Sequence, residues 1–171
     1  MNTPHLKTRL IASATIALLA LAAFAATKGA KTGDRFPDLA AFKLEGKLPE
    51  SFQGQVVFVD FWASWCGPCA KSFPAINELH KSYRDRGVVF LAVNVDETPE
   101  AMQKFLAKYD ASFAVVRDVE HKLIAQLDVT TIPTSFILDR EGKIRFLHSG
   151  FHGEETKKQY AGEIESLLKS P

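Results

Sequence analysis

Val56-Val57-Phe58-Val59-Asp60-Phe61-Trp62-Ala63-Ser64-Trp65-Cys66-Gly67-Pro68-Cys69 decides how this chain folds. Apart from Asp60, its first six residues are β-branched or aromatic and scarcely alternate with polar ones, the pattern of a central strand covered on both faces. Beyond the cysteines, Phe73, Ile76, Leu79, His80 and Tyr83 recur at intervals of three and four, which is one face of a helix that ends by Gly87. Pro74 is expected to kink that helix, because it removes an internal donor. The strand therefore runs through a short turn into the helix, and the turn carries both cysteines of the chain.

Working outward, residues 88–95 read as a second buried strand, and Thr98 with Pro99 reads as a helix cap followed by a first-turn proline. Met102, Phe105, Leu106 and Tyr109 give that helix its inner face. A strand at 113–116, a helix at 120–127, a strand at 134–138, a turn at 139–142 and a strand at 143–147 follow. The last helix spans 154–169, with Tyr160, Ile164, Leu167 and Leu168 inward and Glu154 and Glu155 at the end where the helix dipole favours acids. Upstream, 39–44 and 47–52 flank Glu45-Gly46 as a small hairpin, with Pro49 limiting regular pairing in its second arm. Alternating strands and helices closed by two strands on a tight turn predict an α/β fold, a mixed sheet with helices on both faces.

The formal net charge of +1 and the scatter of lysines among acids exclude a phosphate-neutralising surface, so nucleic acid is not an expected partner. Lys7 and Arg9 precede an uncharged stretch from 10 to 26, which reads as an export signal. Ala23-Phe24-Ala25 offers the small residues a signal peptidase needs. The stretch also lies at the short end of the roughly 17 to 25 residues that span a bilayer, so an uncleaved membrane anchor is the alternative. The expected organisation is a signal or anchor at 1–26, a polar linker with Gly29 and Gly33 at 27–35, and one globular domain at 36–171.

Only two cysteines occur, three positions apart, too close to staple distant parts of a fold. At the start of a helix, unsatisfied amides and the dipole favour a thiolate, so Cys66 is the expected reactive thiol. Cys69, one turn inward, is within disulfide reach and sheltered, and is expected to resolve the mixed disulfide. Pro68 suits a first turn, where a missing amide hydrogen costs nothing. An inert disulfide or half of a zinc site are the alternatives, but zinc wants a second ligand pair. His80, His121, His148 and His152 show no ligand spacing, and neither a metal nor a cofactor is expected.

Residues 59–69, Val-Asp-Phe-Trp-Ala-Ser-Trp-Cys-Gly-Pro-Cys, together with Thr131-Ile132-Pro133-Thr134 further on, resemble the thioredoxin superfamily. The preceding hairpin, the extra strand and helix between Val88 and Tyr109 and the exported N-terminus resemble its TlpA/ResA-like branch, from Gly33 onward. The resemblance implies a thioredoxin-like fold and a thiol-disulfide oxidoreductase of the periplasm. It also implies a cis bond before Pro133, in a loop that lies against the cysteines and leaves the Ile132 backbone open to an extended chain. Asp60 matches the family's buried acid beneath the resolving cysteine, where burial raises its pKa; a strand-end acid facing solvent is the alternative. Trp65, Gly67, Pro68, Ile132 and Pro133 are then the substrate-contacting set, with Trp62 either part of the apolar rim or plain core.

By resemblance, the substrates are disulfide-bearing proteins such as apocytochrome c or copper-site assembly proteins. The electron source is a membrane thiol reductase of the DsbD kind. One departure is Ser72, where many ResA-like relatives carry a glutamate three residues after the second cysteine. A peroxidase of the peroxiredoxin kind would need threonine or serine where Ala63 stands. A copper chaperone using both thiols as soft ligands is the reading from a different class.

Overall fold

The structure is a computed structural model and describes residues 29–170; the expected export segment lies outside them. Six strands, β1 (Leu44–Gly46), β2 (Val56–Trp62), β3 (Val88–Asn94), β4 (Ala114–Asp118), β5 (Thr134–Leu138) and β6 (Ile144–Ser149), form one mixed sheet in the order β1-β4-β3-β2-β5-β6. β2, β3 and β4 run parallel, and β1, β5 and β6 pair antiparallel to their neighbours. The helices are α1 (Gly67–Tyr83), α2 (Pro99–Lys108), α3 (Lys122–Gln126) and α4 (Glu154–Lys169). Among the described residues no helix is long and apolar enough to cross a membrane.

β2 is buried along its whole length, as its unalternating composition predicts, and it sends successive side chains into two cores. Val56, Phe58 and Trp62 pack with Phe73 and Ile76 of α1, Phe105 of α2 and Tyr160 of α4. Val57, Val59 and Phe61 pack on the other face with Phe36, Leu39, Leu123 and Leu127. Burial of a side chain the size of Phe58 contributes about 3 kcal/mol, so this strand is the anchor of both layers. By the same alternation Asp60 points into the layer that holds α1 and the cysteines.

The upstream hairpin does not form. Residues 39–41 make a short 3-10 turn capped by Asp38, β1 pairs with β4 rather than with 47–52, and 47–52 form no strand. The competing partner is remote in sequence: Arg117 of β4 donates to Glu45 of β1 at 2.7 and 3.0 Å, an ion pair that local turn patterns cannot reveal. Pro49 meanwhile denies the local arm a ladder donor. The described part of the expected linker is held by backbone hydrogen bonds. Ala30 donates to the Leu127 carbonyl, Gly33 to that of Ile144, and Arg35 bridges Lys143, so this stretch is tied to the domain. α1 passes unbroken through Pro74.

Candidate active site

The end of β2 leads through Ala63, Ser64 and Trp65 to Cys66, which caps α1. That turn is bolted in place by a buried acid. Asp96, just past the end of β3, accepts from the Ser64 amide at 3.1 Å with both carboxylate oxygens and from Ser64 Oγ at 3.0 Å. Asn94 Nδ2 donates to the same carboxylate at 2.9 Å, and Arg117 Nη1 donates to the Asp96 carbonyl. The strand registry of β2, β3 and β4 thus determines where Cys66 begins the helix. Neither Ser64 nor Asp96 was legible as a site residue, because their partnership spans 32 positions.

Cys66 and Cys69 are joined by a disulfide, with Cα atoms 5.2 Å apart. The Cys66 sulfur accepts from the Cys69 amide at 3.1 Å, one of the unsatisfied donors at a helix start. Cys66 keeps 5% of its surface exposed and Cys69 none, so any incoming group meets Cys66 first. Gly67 and Pro68 are exposed in the first turn. Trp65 is 72% exposed beside them, whereas Trp62 is wholly buried between the rings of Phe73 and Phe105 and is core. Ser72 is buried, with Oγ donating to the Cys69 carbonyl.

The Ile132–Pro133 peptide bond is cis. The Ile132 carbonyl lies 3.6 Å from the Cys66 sulfur, which brings this loop and the cysteines into one place. Thr134 Oγ1 donates to Thr131 O at 2.6 Å, and the Gly150 amide donates to Pro133 O at 2.7 Å, holding the loop from behind. The Ile132 amide donates no hydrogen bond among the described residues.

Asp60 is 1% exposed. Its Oδ1 accepts from Ser135 Oγ at 2.6 Å, that hydroxyl lies 2.9 Å from the Tyr160 hydroxyl, and Asp60 Oδ2 has no partner. Burial raises the Asp60 pKa to about 7, against the smaller opposing effect of the Ser135 hydrogen bond. Burial, and then the Asp60 charge, push the Tyr160 hydroxyl well up. Ser135 and Tyr160 are partners that only the pairing of β5 with β2 and the docking of α4 reveal. His148 pairs with Glu163 at 2.7 Å, away from any ligand cluster. No group of three or more metal-ligating side chains occurs among the described residues.

The Redoxin family profile matches residues 31–164. The thiol-disulfide oxidoreductase ResA of Bacillus cereus is 36% identical over 146 residues, covering 84% of this chain and 83% of that one. ResA of Bacillus subtilis is 32% identical over 145 residues, covering 84% and 81%. Among solved structures, a protein named as the thiol:disulfide interchange protein DsbE of Chlorobium tepidum superposes with a TM-score of 0.75 at 38% identity, over 82% of this chain and 99% of that one. The chain belongs to the Redoxin family, in its TlpA/ResA-like branch of thiol-disulfide oxidoreductases.

Proposed function

We infer that the protein is an exported reductase of protein disulfides in which Cys66 is the attacking thiol, Cys69 resolves and Asp60 takes the resolving proton. The observation that carries this reading is the placement of the Cys66 sulfur at the helix start, 3.6 Å from the Ile132 carbonyl. The Cys66 thiolate attacks one sulfur of the substrate disulfide, and the other leaves as a thiolate that takes up a proton. Cys69 then loses its proton to the Asp60 carboxylate and attacks Cys66, releasing the second substrate thiol. Two electrons pass to the substrate and the dithiol becomes a disulfide. An acid with a pKa near 7 is half ionised at neutral pH, which suits a base that must accept and return a proton.

Ile132, with its open amide, pairs with the backbone of an extended substrate chain, and Trp65, Gly67 and Pro68 form the exposed ground beside it. The basic and apolar N-terminal stretch directs the chain to the periplasm. A membrane thiol reductase of the DsbD kind supplies the electrons, and apocytochrome c or copper-site assembly proteins are the target class.

Insulin reduction with dithiothreitol tests the reading. Turnover without metal that disappears in Cys66→Ser supports it. Tight copper binding by the reduced protein with no turnover contradicts it and favours a metal chaperone.

A further inference from the structure

A groove of about 490 Å³ opens beside Cys66, between the active-site turn and α2. Trp65, Cys66 and Gly67 line one side, and Lys104, Lys108 and Tyr109 line the other. The charged side chains in its lining are Lys104 and Lys108. They stand four positions apart on one helix, so they share a face. Both are exposed, and neither forms an ion pair among the described residues. Lys108 Nζ sits 5.0 Å from the centre of the Tyr109 ring, which keeps it at the groove.

We propose that this groove holds the segment flanking the target disulfide, and that Lys104 and Lys108 select segments bearing aspartate or glutamate. The proposal rests on Cys66 being the thiol that attacks the substrate. Pairing with Ile132 on the proline-loop side uses backbone groups that every substrate has, so it cannot discriminate among sequences. Two exposed cations beside the sulfur can, by attracting carboxylates and repelling basic segments. The partner is therefore a protein whose reactive cysteine has acidic residues within about six positions, the reach of roughly 20 Å of extended chain.

The test uses the full chain with Cys69→Ala and two peptides, each with one cysteine activated as a mixed disulfide with thionitrobenzoate. One peptide carries glutamates in the flank and the other carries lysines at the same positions. The Cys66 thiolate attacks the peptide sulfur, a Cys66–peptide disulfide forms, and the coloured thiolate is released. The acidic peptide should react about five-fold faster at low ionic strength, as expected for two exposed charge pairs, and the advantage should shrink with salt. Lys104→Glu with Lys108→Glu should invert the preference, and Lys104→Gln with Lys108→Gln should bring the ratio close to one. The glutamine pair also covers the case that charge reversal harms α2, and reduced wild-type protein covers the case that Cys69→Ala does not fold. Equal rates, or an acidic preference that survives reversal, overturn the groove proposal while leaving Cys66 as the attacking thiol. No reaction with either peptide overturns both.

Discussion

Ser135 Oγ donates a 2.6 Å hydrogen bond to Asp60 Oδ1 from the strand position paired with it, and the other carboxylate oxygen has no partner. Two forces thus act on one buried acid. Burial drives its pKa up from 3.8 to about 7, and the serine restrains that rise by favouring the ionised form.

Ser135→Ala removes the restraint, so the Asp60 pKa should move further above neutrality. If the hydrogen bond contributes about 1.4 kcal/mol, the ionised fraction at pH 7, and with it the rate of resolution by Cys69, should fall about five-fold. Carboxylate titration followed by NMR, beside the pH profile of the resolving step, checks this. A titration that stays put or moves down contradicts it.

The same burial links Asp60 to stability. Between pH 3.8 and about 7 the folded protein holds a proton here that the unfolded chain has lost, so this group makes the fold less stable as pH rises through that window. The effect levels off above it, at a total on the order of 4 kcal/mol. Asp60→Asn should lack this decline, so urea unfolding should show the variant gaining on wild type between pH 4.5 and pH 8. A constant difference between the two proteins across that range would refute the linkage.

Asp96→Ala strips the Ser64 amide and hydroxyl of their acceptor and Asn94 of its own. Loss of these buried hydrogen bonds should cost about 3 kcal/mol in urea unfolding. It should also lower kcat/KM for a protein disulfide, since the turn that presents Cys66 loses its brace. Asp96→Asn keeps one acceptor oxygen in place and should recover part of both. Full activity in Asp96→Ala would show that the turn holds its shape unaided.

The parts of this architecture written in adjacent residues were legible from the chain alone. The unalternating run of β2, the Thr98 cap and Pro99 of α2, and the inward face of α4 all follow from neighbours in sequence. The cysteine pair announced itself in the same way. What escaped were relationships between residues far apart. β1 takes β4 as its partner through Glu45 and Arg117, and β4 reaches Asp118 because its charged end is buried and its carboxylate caps Ile124. Ser64 with Asp96, and Asp60 with Ser135 and Tyr160, depend on strand register, which no local pattern encodes.

The distinction between the two sulfurs is the foundation of the chemistry, and timed alkylation of the reduced protein measures it directly. Iodoacetamide at pH 6 to 7, with labelled positions read by mass spectrometry, should modify Cys66 rapidly and leave Cys69 protected until the protein is unfolded. The Cys66 rate should titrate with a midpoint below the free-thiol value of about 8.5, as its helix-start position demands. Labelling of Cys69 first, or a Cys66 no more reactive than an ordinary thiol, would contradict the account.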